Sequence, residues 1–170
     1  MAPSQAASVI PGKILVPIDF SPSSHQALEA ATELAEKFGS KLYLLHVVPE
    51  YPGYALPESV SQQSIISDGK QKAEEHFEVS MAGLKTKGVQ ATSHVEVGSD
   101  VAGSILDAID RENADLVVLT THGHSGWYPQ VFGSVAEKLV KLATVPVFLL
   151  RSPKPESSAK VTYSGMMEWW

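Results

Sequence analysis

The chain has 170 residues, 44% of them hydrophobic, no cysteine and a formal net charge of −6. This length and composition suit one globular domain, and the acidic balance without a basic run argues against nucleic acid and anionic membranes as partners. The lack of cysteine excludes disulfide frameworks, thiolate metal sites and cysteine nucleophiles, and no run of about 18 apolar residues marks a membrane span.

The first part of the chain predicts a leader, a strand and a helix. Residues 1–11 are small and polar and lack the basic and apolar segments of a secretory signal, so we expect a loose leader and a cytoplasmic protein. Residues 13–19 form a short apolar run that ends on a carboxylate, typical of a buried parallel strand. A helix follows, in which Ser23 and Gln26 have the spacing of a capping box and Gly39 marks the end.

The rest of the chain continues the alternation of strand and helix. Residues 49–67 are rich in proline, serine, tyrosine and glutamine and are predicted to be a mobile surface loop. Residues 152–170 read as a tail that ends in two tryptophans, which leaves 12–151 as the domain. The other predicted elements are strands over 41–48, 90–97, 116–120 and 145–150, and helices from 73 to Gly88, over 101–109 and over 134–143.

This alternation predicts an α/β fold. Five strands joined by helices over short connections indicate a doubly wound, five-stranded parallel sheet with helices on both faces. In such sheets, ligands bind beyond the carboxyl ends of the strands, where the strand order reverses. We therefore expect the functional residues to follow directly after the strands.

The segment after the fourth strand is glycine-rich. Gly123, Gly126 and Gly133 lie between that strand and a helix beginning at Ser134. Glycine allows a ligand to approach the backbone closely, and the first amides of a helix attract anions, so this loop suits a phosphate. A plainer interpretation is also open, in which the glycines serve turns and Ser134 forms a capping box with Glu137. The segment matches neither the P-loop nor the dinucleotide-binding pattern.

Several motifs together resemble the universal stress protein family. Gly123, nine further residues and then Gly133–Ser134 resemble its nucleotide loop, although Thr120 stands where that motif has its first glycine. Residues 13–21, 45–47 and 145–147 resemble its first, second and last strands. The resemblance covers about 12–151 and implies a Rossmann-like sheet of strand order 3-2-1-4-5.

The resemblance also implies a ligand, ATP or a related adenine nucleotide such as AMP or ADP, with Mg²⁺ held through the phosphates. Adenine would lie between the first two strand ends, at Pro17, Asp19 and the main chain of Val47. A carboxylate suits this place because it accepts hydrogen bonds from a ribose hydroxyl or an amine. The residues implied along the ribose and phosphates are Thr120, Gly123, Gly133, Ser134 and Val135.

The function that the resemblance implies is that of a homodimeric stress-response regulator or sensor, paired through the last strand from Val145 to Leu150. An exposed apolar edge strand needs such a cover. Two alternatives stay open: a member that acts through dimerisation without nucleotide, and a slow ATP hydrolase. We expect no catalytic or metal-binding role for His46, His122 and His124, and we expect His46 to satisfy a local backbone group.

Overall fold

The computed structural model describes residues 10–50, 61–121 and 133–151. In this part of the chain, strands and helices alternate as the hydrophobic pattern predicts. The elements are β1 (Lys13–Pro17), α1 (Pro22–Phe38), β2 (Lys41–Pro49), α2 (Gln62–Thr86), β3 (Ala91–Gly98), α3 (Val101–Glu112), β4 (Leu116–Thr120), α4 (Ser134–Leu142) and β5 (Val147–Leu150).

The five strands form one parallel sheet of order β3-β2-β1-β4-β5 with helices on both faces, which confirms the predicted fold class. Successive side chains of a strand point to opposite faces, so each central strand contributes to two cores. Ile14 and Val16 pack with α1 and α2, whereas Leu15 lies in the core under α3 and α4. All three side chains are fully buried.

The predicted start of α1 is wrong in detail. Ser21, not Ser23, is the N-cap, and its hydroxyl accepts a hydrogen bond from the Ser24 amide. Pro22 then occupies the first helical position, where its missing N–H costs nothing and its fixed φ suits the helix. The helix ends as predicted at Gly39, whose φ of 71° is left-handed.

The predicted surface loop over 49–67 is too long. Helix α2 begins at Gln62, after an N-cap at Ser61 that accepts a hydrogen bond from the Ser64 amide. Gly69 allows this helix to pack closely on β2, because a Cβ at that position would lie 2.9 Å from a methyl group of Val48. Residues 51–60 lie outside the described part of the chain, as do most of the predicted leader and the tail over 152–170.

The last strand is shorter than predicted. It was expected to begin at Val145, but it begins at Val147, because Pro146 has no N–H and offers only its carbonyl, which accepts a hydrogen bond from Val117. The strand lies at the edge of the sheet, next to β4. Phe148 is 46% exposed on it, and two side chains of neighbouring α4, Val140 and Leu142, are more than half exposed.

Candidate functional site

The candidate site is the carboxyl edge of the sheet between β1 and β4, which we call the crevice. The order of the strands reverses here, since β1 lies between β2 and β4. The pairing of β1 with β2 continues as far as Pro17, opposite Leu45. The pairing with β4 stops two residues earlier, at Leu15 opposite Val117. The two central strands therefore separate at the place where doubly wound sheets bind ligands.

Pro17 gives a physical reason for this separation. Residues two apart in a strand direct their backbone groups to the same neighbour. The Lys13 carbonyl accepts a hydrogen bond from the Asp115 amide, so the odd-numbered residues of β1 face β4. Pro17 is one of these, and it has no N–H with which to continue the ladder. One of the predicted site residues thus shapes the crevice through its backbone.

A histidine side chain replaces the next backbone bond between β1 and β2. The Ile18 amide donates to the Leu45 carbonyl at 2.8 Å, and a continued parallel ladder would next join the Val47 amide to the Ile18 carbonyl. Instead, Nδ1 of His46 lies 2.7 Å from that carbonyl oxygen. Since a carbonyl only accepts, Nδ1 is the protonated nitrogen. This confirms the structural role expected for His46.

The consequence for Val47 is a pair of backbone groups directed past the end of β1. The even-numbered residues of β2 face β3, as the bond from the Leu42 amide to the Gln90 carbonyl shows, so Val47 faces the other way. Within the described ranges, no hydrogen bond of its amide is found. Its side chain is buried, which fixes the main chain in place.

Asp19 is oriented by a serine. The Ser21 hydroxyl donates to Oδ1 of Asp19 at 2.5 Å, and the Ser21 amide donates to the same oxygen at 3.1 Å. The hydroxyl oxygen also accepts from the Ser24 amide at 3.1 Å as the cap of α1. Ser21 is only 3% exposed, so its hydroxyl has little choice of partner. The carboxylate therefore has a defined direction beside the crevice.

The N-terminus of α4 lies next to the end of β4, where the glycine-rich segment begins. The Gly133 amide donates to the Thr121 carbonyl at 2.8 Å, and the Thr121 amide donates to the Leu150 carbonyl at the same distance. The first bond joins the start of α4 to the end of β4, and the second joins the end of β4 to β5. The helix therefore begins at the carboxyl edge of the sheet.

No side chain of the described residues caps helix α4, and the capping-box interpretation of Ser134 is wrong. The N-cap is Gly133, with φ −60° and ψ 148°, and Ser134 is the first helical residue. Glu137 forms an ion pair with Lys141 instead of reaching back to the cap. This hydrogen-bonded lysine lowers the pKa of the Glu137 carboxyl. The backbone at Gly133 is open to any residue, so a positive φ is not the reason for glycine here.

The first amides of α4 are a polar feature of the carboxyl edge of the sheet. The Glu137 amide donates to the Gly133 carbonyl, which is the first intrahelical bond. The preceding amides, of Ser134, Val135 and Ala136, have no hydrogen-bond partner among the described residues. Unpaired amides and the helix dipole together attract anions. The Gly133 amide is engaged by Thr121, so this residue would contribute only open space.

Comparison with known proteins identifies the family. Residues 11–151 match the universal stress protein family. The chain belongs to this family. It is 32% identical over 145 residues to universal stress protein MJ0531 of Methanocaldococcus jannaschii, a match that covers 85% of this chain and 84% of the relative. It is 31% identical over 157 residues to YxiE of Bacillus subtilis, covering 82% and 98%.

Solved structures of universal stress proteins share the fold. Protein MJ0577 of Methanocaldococcus jannaschii superposes with a TM-score of 0.75 at 23% identity, covering 86% of this chain and 99% of that chain. A universal stress protein in complex with cAMP gives a TM-score of 0.55 at 20% identity, covering 83% and 97%. One from Archaeoglobus fulgidus in complex with dAMP gives 0.58 at 22%, covering 82% and 98%.

The structure locates most of the residues that the universal stress protein motif implied. Those at the carboxyl edge of the sheet or at the start of α4 are Pro17, Asp19, Val47, Thr120, Gly133, Ser134 and Val135. Thr120 is 8% exposed. Gly123 lies outside the described residues, as do His122 and His124.

Two further features concern metals and membranes. In the three described ranges, no three His, Asp or Glu side chains gather to hold a metal ion. No helix in those ranges is both long and apolar enough to cross a membrane.

Ser21 is the site residue that the sequence analysis missed. A signal for it exists, because a serine directly before a proline is the usual order of N-cap and first helical residue. The capping-box spacing of Ser23 and Gln26 pointed to Ser23 as the cap instead. Pro17 ends the hydrogen-bond ladder between β1 and β4. Recognising this role requires the register of the two strands, which no sequence pattern provides.

Proposed function

We propose that this universal stress protein binds an adenine nucleotide, ATP or its relatives AMP and ADP, in the crevice between β1 and β4. The observation that supports this most directly is the start of α4, whose first amides lie at the carboxyl edge of the sheet and have no hydrogen-bond partner among the described residues. An anionic group bound there would complete the helix N-terminus.

The other residues of the crevice fit the base and the ribose. Val47 directs an amide and a carbonyl past the end of β1, and adenine carries an acceptor and a donor that match such a pair. Asp19, oriented by Ser21, is suited to accept hydrogen bonds from a ribose hydroxyl or an exocyclic amine. Ser134 offers a hydroxyl beside the amides that we assign to the phosphates.

The relatives support the nucleotide class. The neighbours in complex with cAMP and dAMP each bind an adenine nucleotide on the same fold. We extend this to ATP because the amides of α4 can accept more than one phosphate. Mg²⁺ would be held by phosphate oxygens, and its charge would offset that of the polyphosphate.

We further propose that the protein acts as a homodimeric stress-response regulator in the cytoplasm. Among the described residues, strand β5 has a neighbour on one side only, and Phe148 on it exposes nearly half of its surface. The unpaired backbone groups of an exposed edge strand are a template for pairing with another strand. A second copy of the chain, paired along β5, would cover it.

The substitution Gly133→Asp tests the nucleotide site without weakening the fold. Aspartate is a preferred N-cap, so it should leave the melting temperature unchanged or raise it. Its carboxylate would lie where we place a phosphate, and the repulsion should raise the dissociation constant for ATP by at least roughly tenfold. Calorimetric titration with ATP, ADP, AMP and GTP, with and without magnesium, measures this.

The control is Gly133→Asn, which adds a side chain of the same size and capping ability without the charge. It should bind ATP more tightly than the aspartate variant does. Equal loss in both variants would point to steric exclusion rather than an anion site. Absence of any nucleotide binding by the wild type would overturn the proposal and favour the member that acts through dimerisation alone. Phosphate release from bound ATP tests the slow hydrolase.

A further inference from the structure

Phe20 lies between Asp19 and Ser21 in the β1–α1 connection, and its backbone conformation is unusual. Its φ of 60° is left-handed, and among the described residues only one other non-glycine residue, Asn113, shares this feature. Asparagine adopts this conformation readily at helix ends, whereas a bulky aromatic residue rarely does. Such strain persists only where surrounding contacts over-determine it, and it concentrates at functional sites.

The contacts that hold Phe20 come from three aromatic rings. His46 of β2 and His76 of α2 each have a ring centroid 4.7 Å from that of Phe20, and the His76 ring is stacked at an interplanar angle of 25°. Phe77 meets the same ring edge-on, with centroids 5.5 Å apart. His46 is itself fixed by the Ile18 carbonyl. The Phe20 ring therefore lies between the sheet and helix α2.

These contacts surround Asp19 with immobilised neighbours. Ile18 is bonded to β2 through its amide, and Ser21 is fixed as the cap of α1. Phe20 is the third fixed neighbour, because the contacts of its ring hold the backbone turn that follows Asp19. His76 is exposed at the surface, yet it forms the outer side of the stack.

We propose that Phe20 is a positioning residue for Asp19, and that His76 clamps it from α2, so that the placement of this helix sets the affinity for nucleotide. This rests on the proposed function, in which Asp19 contacts the nucleotide. Neither ring touches the ligand. The clamp acts by restricting the carboxylate to the direction that suits binding, which lowers the entropy lost when the nucleotide arrives.

The first test compares His76→Ala with His76→Tyr and with the control Val79→Ala, an exposed residue one turn along α2. His76→Ala should raise the dissociation constant for ATP by roughly threefold or more, the size of coupling through a packed contact. His76→Tyr keeps a ring over Phe20 and should stay near the wild type, as should Val79→Ala. Urea unfolding of all three should differ little, because these side chains are exposed.

The second test is a double-mutant cycle with Phe20→Gly. Glycine adopts the left-handed backbone without strain, so the turn should persist while the ring is lost. Phe20→Gly should weaken ATP binding, and adding His76→Ala should then have no further effect, because the ring through which His76 acts is gone. Independent effects of the two rings would instead give additive losses. Additivity, or wild-type affinity in His76→Ala, would overturn the clamp.

A nucleotide-free measurement separates this inference from the proposed function. His76→Ala should shift the NMR signals of Asp19 and Ser21, and Val79→Ala should leave them in place. Unshifted signals would overturn the clamp whether or not nucleotide binds. Shifted signals in a protein that binds no nucleotide would keep the clamp as a structural device and overturn the nucleotide site.

Discussion

At the scale of single residues, the one hydroxyl group of Ser21 is hydrogen-bonded both to the Asp19 carboxylate and to the first turn of α1. Ser21→Ala should lower the free energy of unfolding by about 1–2 kcal/mol, because a buried helix cap and its bond to a charged group are lost together. It should also weaken ATP binding, because Asp19 loses its orienting partner. Urea unfolding and calorimetry measure the two effects.

Ser23→Ala is the matched control, since the two serines lie two positions apart and only Ser21 caps the helix. It should leave stability and binding close to the wild type. A loss as large as that of Ser21→Ala would mean that the helix begins at Ser23 in solution.

The site residues differ in how far the sequence could predict them. The family motif indicated Asp19 and Val47, and their physical roles became clear only from the backbone directions of β1 and β2. The start of α4 at Ser134 was predicted correctly, but local patterns misplaced the start of α1 and assigned a capping box to Ser134, because serine with glutamine or glutamate at capping distance also occurs inside a first turn. Sequence spacing does not reveal whether Glu137 reaches back to the cap or pairs with Lys141, as it does here.

At the scale of elements, Tyr43 ties β2 to α3. Its hydroxyl group interacts with Arg111 of α3, which also pairs with Glu96 of β3. Burial raises the pKa of Tyr43 above its ordinary value. The neutral hydroxyl is therefore favoured in the folded state. The stability that this contributes is complete below the ordinary pKa of tyrosine and is lost as the pH rises through the pKa of Tyr43 in the folded state.

Tyr43→Phe tests this connection. At pH 7 the variant should be less stable by up to about 1 kcal/mol, because the interaction of the hydroxyl group with Arg111 is lost. The difference should shrink as the pH rises above about 10, because only the wild type then has to keep a tyrosine neutral in the folded state. Urea unfolding across this range measures it. Parallel pH curves for the two proteins would contradict the assigned role.

The elements themselves were largely predictable, for reasons that the structure makes clear. Buried parallel strands are short apolar runs, and β4 has the predicted bounds because both of its neighbours exclude solvent. The first turns of α2 were missed because Ile65 and Ile66 are the only large apolar residues there, which is too little for a helical period. Gly69 adds to this, since glycine usually indicates a loop.

At the scale of the whole molecule, the exposed edge of β5 makes assembly testable. Phe148→Glu would place a charge at the proposed pairing surface, and like charges opposite each other destabilise a strand pair. The wild type should sediment as a dimer at micromolar concentration, and the variant should shift towards the monomer. Val79→Glu is the control, because Val79 is an exposed apolar residue on α2, a helix on the opposite face of the sheet from α4. A monomeric wild type would overturn the homodimer.

The bond between Gly133 and Thr121 has a consequence for how this protein can vary. It brings together the two residues on either side of residues 122–132. Lengthening a segment whose ends already meet costs little conformational entropy. Substitutions and insertions there should therefore leave the sheet and α4 in place. The sheet and α4 thus form a framework that tolerates changes in residues 122–132.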